Sequence, residues 1–440
     1  MRRDVSTNIS RQNFAFARPE AALRTLACAT RRRRERSQRR RKLSIEASAL
    51  AALALACALS LSLARADVLV ADGAASPPGK ALDCDARRRP ALAVGFTLSH
   101  IDVAPAGAMA CDGGSRPGPP VESGRNVVMH YDDPAIANET RSALRIMAAQ
   151  GASVVRDVLW YYHTEDRATA ARDRVSPLGL AAATDGKLPD EVLRNLLAYI
   201  RDAQQAGYDR FYVALGVQGS ALPQCRRGAT GWGECFNARF LAPTWSVTRQ
   251  VVEAVRLARL RIKVIFDIAI EQCYAPASGW LADRNKQEFT RYMVKNYATT
   301  FHDRNFIVSC GAAGGAVARA DAALKALVQL YDELGVRPDS VDIHDYADTL
   351  PKTREILLDA NRAAERLGVP LVIGETWFDN PNVYDAVDDL LRDGQVRPRD
   401  MIIWPGAAHS ACRPDITLKP PFDMEAVRRK LGLSDPACSR

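Results

Sequence analysis

Residues 370–376 read Pro-Leu-Val-Ile-Gly-Glu-Thr, and residues 340–346 read Ser-Val-Asp-Ile-His-Asp-Tyr. Each is a short apolar run that ends in residues able to do chemistry. Near-continuous apolarity marks a strand covered on both faces, as in a parallel sheet, rather than one that turns a face to water. Runs of this kind recur at 91–97, 152–160, 209–217, 262–271, 305–310 and 401–406, which brings the total to eight. The stretches between them have helical periodicity. Val192, Leu193, Leu196, Leu197 and Ile200 form one stripe behind the proline-and-acid start Pro189-Asp190-Glu191, and Leu324, Leu327, Val328, Leu330, Tyr331 and Leu334 form another. Gly151, Gly207, Gly335, Gly368 and Gly394 fall just past helical patterns, where a left-handed residue closes a helix.

Eight strands alternating with helices suit a closed barrel or a doubly wound sheet. No glycine-rich dinucleotide fingerprint or phosphate loop follows the first strand, which counts against the open sheet. The expected fold is therefore α/β, a single (β/α)8 barrel over residues 91–440. In such a barrel the site lies where strands end and βα loops begin. Three of those loops are long: 98–136, 218–242 and 405–422.

The chain carries a formal net charge of +9, which taken alone suggests a polyanion partner. Most of it is local. A basic run spans Arg31 to Lys42, an Ala/Leu stretch follows from Ala47 to Leu63, and Ala64-Arg65-Ala66 closes the segment. Basic flank, short apolar core and small residues are the layout of a secretory signal, with cleavage expected before Asp67; the rival reading is a retained membrane anchor, for which the apolar stretch is near the lower limit of length. Residues 1–66 hold a surplus of +11, and the remainder balances to −2. The case for nucleic acid as a partner falls away with the leader. Residues 67–90, rich in Ala, Gly, Pro and Arg, read as a linker, and no later segment is apolar enough to span a bilayer. The mature protein is expected to be secreted or periplasmic.

Of ten cysteines, Cys28 and Cys57 leave with the leader, and eight remain in a compartment that permits oxidation. Proximity suggests Cys225 with Cys235 and Cys412 with Cys438. Cys84 with Cys111 and Cys273 with Cys310 are weaker pairings, with a buried free thiol as the alternative for Cys310. None has zinc-site spacing.

The strand ends collect an unusual set of side chains: Arg156 and Trp160 on strand 2, Glu271 on strand 4, His344 and Tyr346 on strand 6, Glu375 and Trp377 on strand 7, and Trp404 on strand 8. A carboxylate buried in mid-strand is costly, whereas one at the C-terminal end reaches the open face. Cleaving a glycosidic bond takes two carboxyl groups, one to protonate the leaving oxygen and one to attack the anomeric carbon. The nucleophile must stay ionised, which a nearby guanidinium such as Arg156 would secure. Glu271 is expected as acid/base, its pKa raised by its neighbours Ile268 and Ile270. Aromatic rings at the rim suit the apolar faces of sugars.

These motifs resemble those of clan A glycoside hydrolases, retaining (β/α)8 enzymes whose acid/base and nucleophilic glutamates end strands 4 and 7. Leu371 to Thr376 is similar to the strand-7 motif, Ile343-His344-Asp345-Tyr346 to the His-x-Tyr of strand 6, Val154-Val155-Arg156 to the strand-2 arginine, and Ile403-Trp404 to the strand-8 tryptophan. The resemblance runs from about residue 90 to 410, and each motif is short. It implies a carbohydrate substrate, no cofactor, Glu271 and Glu375 as catalytic residues, and Arg156, His344, Tyr346, Trp377 and Trp404 around the sugar. The sequence departs from the clan in having Ile270 where an asparagine normally precedes the acid/base, and Gln218 where several families place a histidine. Two other readings therefore stay open. One is a glycan-binding barrel that does not cut. The other is a metal-dependent isomerase or lyase with Glu271, Glu375, His344 and an Asp as ligands.

Overall fold

The structure, a computed structural model, describes residues 92–101, 125–163, 181–217, 238–279, 281–313, 319–378, 380–405 and 420–433. The expected leader, its cleavage before Asp67, the linker, Gln218, most of the three long loops and the cysteine pairs 225–235, 412–438 and 84–111 lie outside the described residues.

Eight parallel strands form the barrel: β1 (Ala93–Thr97), β2 (Val154–His163), β3 (Arg210–Val217), β4 (Lys263–Asp267), β5 (Phe306–Ile307 with Ser309–Ala313), β6 (Val341–Tyr346), β7 (Leu371–Trp377) and β8 (Pro398–Trp404). The hydrogen-bonded path starts on the first half of β5, runs through β4, β3, β2, β1, β8, β7 and β6, and returns to the second half of β5. The ring thus closes through strand 5. Among the described residues a helix follows each strand: α1 (Pro134–Ala149), α2 (Asp190–Ala206), α3 (Leu241–Leu257), α4 (Leu281–Phe301), α5 (Ala320–Leu334), α6 (Leu350–Leu367), α7 (Pro381–Arg392) and α8 (Met424–Lys430). None is long and apolar enough to cross a membrane.

Strand bounds differ from expectation mainly at β4. The apolar run 262–271 is strand only to Asp267, so Glu271 stands beyond it in a turn with a left-handed backbone, φ 54°. Gly207, Gly335 and Gly368 cap α2, α5 and α6 at positive φ, as their positions predict.

Strand alternation sorts the side chains into two cores. Leu371, Ile373, Val341, Ile343, Phe211 and Val213 pack outward under the helices. Val154, Tyr212, Ile265, Ile307, Val372 and Ile402 fill the barrel's interior. Above them sits a fully buried charged group, with Arg156 Nη2 2.7 Å from Asp267 and its Nη1 3.1 Å from Asp342. Higher still, Val158, Trp160, Ala214 and Ile270 form an apolar cluster with Trp404 against it. Below, at the strand starts, Tyr212 donates to Asp400 at 2.5 Å, with Arg210 and Arg399 beside the same carboxylate. This network caps the barrel at the face opposite the site.

Asp157, next to Arg156, alternates to the helix side and is fully buried. Burial pushes its carboxyl up to about 7, with the Ser99 hydroxyl pulling the other way. A folded pKa above the unfolded 3.8 means the native state holds the proton longer. Stability contributed here is present below about pH 4 and falls as pH rises towards 7. Asp157→Asn is expected to leave stability unchanged near pH 4 and raise it by about 2–4 kcal/mol at pH 8. Guanidinium unfolding at the two pH values measures this, and an equal effect at both would refute the assignment.

Candidate active site

Four strands deliver the candidate residues to one mouth. On β6 plain alternation suffices: Asp342, His344 and Tyr346 face inward while Val341 and Ile343 face the helices. On β7 it does not. Val372 points inward and Ile373 outward, so strict alternation would turn Glu375 towards the helices. The β6–β7 register shifts here, with Ile343 opposite Ile373 but His344 opposite Glu375. Gly374 is the extra residue, and this bulge re-aims Glu375 into the mouth. A Cβ at Gly374 would lie 2.0 Å from Asp342 Oδ1, so only glycine leaves space for the carboxylate that holds Arg156.

Glu271 arrives differently. Its N–H donates to Ser309 Oγ at 2.8 Å, Lys286 Nζ donates to its carbonyl at 3.0 Å, and Gly311 leaves open the space its carboxylate occupies. The Cys273–Cys310 disulfide joins this turn to β5, so Cys310 is not a free thiol.

Oxygens of Glu271 and Glu375 and a ring nitrogen of His344 all lie within 4.8 Å of one another. His344 Nδ1 is 2.9 Å from Glu271 Oε1 and 3.4 Å from Glu375 Oε2. Tyr346 donates its hydroxyl to Glu375 Oε2 at 2.5 Å, and Arg156 Nε faces Glu375 Oε1 at 3.5 Å. The two carboxylates differ in access: the Glu271 side chain is 41% exposed and that of Glu375 only 7%. Burial opposes a charged His344, but the anions of Glu375 and Glu271 outweigh it and raise its pKa above 6.5. Burial alone would raise the Glu271 pKa. Its hydrogen bond to His344, with the charges of His344, Lys286 and Arg156, wins and lowers it.

The expectation of a raised Glu271 pKa is therefore corrected. Ile268 belongs to the outer core and Ile270 to the apolar cluster, so neither governs the carboxylate, which faces a histidine instead. Arg156 lies fully buried beneath the mouth, against Asp267, Asp342 and Glu375. Trp377 packs on Tyr346 with ring centroids 4.6 Å apart, and Trp404, opposite Trp377 in the β7–β8 ladder, packs on the apolar cluster that holds Trp160 and Ile270. Sequence reasoning passed over Asp267 and Asp342. The signal was there, an Asp at mid-run in Phe266-Asp267-Ile268 and Val341-Asp342-Ile343. Lys286, Ser309 and the bulge at Gly374 had no such signal.

No protein-family model and no curated protein matches the chain. Solved structures do. The chain is similar to barrel glycosidases. A modular endo-β-1,4-mannanase from Cellulomonas fimi aligns at 16% identity and TM-score 0.44, over 67% of this chain and 66% of that one. An exo-β-1,4-mannosidase from Opitutaceae bacterium strain TAV5 aligns at 13% identity and TM-score 0.48, over 80% and 60%. A broad-specificity endoglucanase from a Clostridium species aligns at 12% identity and TM-score 0.47, over 77% and 94%.

Proposed function

We propose that the chain is an exported retaining glycoside hydrolase that cleaves an oligo- or polysaccharide by double displacement. The observation that carries this is the approach of Glu271 and Glu375 oxygens to within 4.8 Å at the C-terminal ends of the strands. Direct attack by one carboxylate needs a separation of about 5–5.5 Å, whereas inversion through a water needs roughly 6.5–9.5 Å.

Glu375 attacks the anomeric carbon as the bond to the leaving oxygen breaks, and that oxygen takes a proton from Glu271. Water then displaces Glu375, giving its proton back to Glu271. Tyr346 donates to Glu375, and the ring of His344 and the guanidinium of Arg156 stand 3.4 and 3.5 Å from its oxygens, the arrangement that steadies a nucleophilic carboxylate. With the His344 pKa raised and that of Glu271 lowered, one proton rests on the pair: Nδ1 passes it through Oε1 to the leaving oxygen, and the proton that water gives up returns by the same route. Trp404 and Trp377, both partly exposed, offer faces for sugar rings. A metal held by Glu271, His344 and Glu375 is disfavoured, because the Arg156 guanidinium and the Tyr346 hydroxyl already address the Glu375 oxygens.

Release of reducing sugar from a panel of mannan, glucan and xylan tests the reading. Glu271→Gln should lower turnover on such polymers by about 10²–10⁴-fold, and far less on an aryl glycoside whose leaving group needs no proton. Equal losses on both would remove Glu271 from the acid/base role. A glycan-binding barrel is the second reading, favoured by Ile270 lying buried in an apolar cluster where a polar contact to sugar is expected. Its signature is glycan binding without reducing-sugar release.

A further inference from the structure

Three consecutive residues of β5 grip the turn that carries Glu271. The Ser309 hydroxyl accepts the Glu271 N–H at 2.8 Å. Cys310 is disulfide-bonded to Cys273, two residues past Glu271, with Cα atoms 5.0 Å apart. Gly311 lies against the carboxyl group itself, where a Cβ would come within 3.1 Å of Glu271 Cδ and Oε1. From the other side, Lys286 on α4 donates to the Glu271 carbonyl at 3.0 Å. The turn needs such support. Glu271 adopts φ 54°, a left-handed conformation that costs a side-chain-bearing residue about 1–3 kcal/mol and persists only where its surroundings over-determine it. β4 has already ended at Asp267, so no β-ladder holds this segment in register.

We propose that the Cys273–Cys310 disulfide is a positioning device for Glu271. It locks the left-handed turn to β5 and thereby aims the carboxylate at His344 and Glu375. The covalent bond spans 37 residues of sequence, joining β5 to the loop that follows β4. It touches neither substrate nor reacting atoms, and acts through the geometry of Glu271. This deepens the hydrolase reading, since it rests on Glu271 being the acid/base.

The test is a full-length Cys273→Ala/Cys310→Ala variant, checked for folding by circular dichroism. Two readouts are followed: steady-state kinetics on the polysaccharide that the parent cleaves, and the His344 Nδ1–H proton resonance, assigned by its loss in His344→Gln. The expected result is a kcat lower by about 10–100-fold with KM within about 2-fold, because a displacement near 1 Å at a catalytic group costs about that much. The His344 resonance should move upfield as its bond to Glu271 loosens. A folded variant with kcat and resonance unchanged overturns the proposal. If the double variant does not fold, the same bond is opened in the folded parent with a phosphine reductant, thiol release confirming its cleavage. A shifted His344 resonance there supports the proposal, and an unchanged one refutes it. If the parent cleaves no glycan, the hydrolase reading fails, while the His344 resonance still decides whether the disulfide positions Glu271.

Discussion

Glu375→Gln is expected to fold with near-parental stability and to lose at least about 10³-fold in turnover on every glycan substrate. The amide keeps the size of the carboxylate and can still accept the Tyr346 hydroxyl, now 2.5 Å from Oε2. It cannot form the glycosyl-enzyme bond, so no rearrangement of binding contacts recovers the rate. Stability should change little, because Arg156 retains Asp267 and Asp342 at 2.7 and 3.1 Å. Thermal melting and initial rates on the same preparation separate the two effects. Turnover within about 10-fold of the parent would exclude Glu375 as the nucleophile. A comparable loss from Glu271→Gln on aryl glycosides would point to a site that needs both carboxylates for something other than acid/base work.

Arg156→Met should have the largest effect on stability, a loss of about 3–5 kcal/mol at neutral pH. Met fills part of the space but leaves Asp267 and Asp342, both fully buried, with only His344 near to offset their charge, and Glu375 just above them. Burial already pushes the Asp342 carboxyl up to about 6, even against the pull of Arg156. A carboxyl raised in this way favours folding while it is protonated, and that contribution is lost as pH rises through the folded value. The deficit of the variant is therefore largest at pH 7–8 and shrinks towards pH 4. Adding Asp267→Asn and Asp342→Asn should restore part of it, since neutral amides carry no such desolvation cost. Guanidinium unfolding at two pH values measures both effects. A loss under about 1 kcal/mol would mean that the three carboxylates are held by something other than this guanidinium.

The fold was legible in the sequence because a parallel barrel writes itself as a period. A strand buried on both faces must be almost wholly apolar, and a helix covering it must carry an apolar stripe, so their alternation shows in composition alone. The candidate residues were legible for a related reason: polar side chains such as Arg156, His344 and Glu375 within apolar runs are too costly to sit there without partners. The sequence alone does not say what those partners are. Arg156 reads equally well as a group facing sugar or as the cation under the floor, and only the distances to Asp267, Asp342 and Glu375 assign it.

Direction was decided by the tertiary structure. Whether Glu375 faces the mouth or the helices depends on one extra residue in the β6–β7 ladder, and register is a relation between two strands 30 residues apart, absent from either one. The run 262–271 looks like one strand through Glu271, yet pairing stops at Asp267 and the chain turns, while β3 and β5 run on beside their other neighbours β2 and β6. Glu271 then reaches His344 through a left-handed turn held by Ser309, Lys286 and a disulfide. The same contact reverses the expected pKa shift: Ile268 and Ile270 are neighbours of Glu271 in sequence but pack elsewhere, while a histidine 73 residues away sets its charge. Periodicity is a local property and survives in one dimension. Register, bulges and charge pairing depend on which segments meet, and that is decided only when the barrel closes.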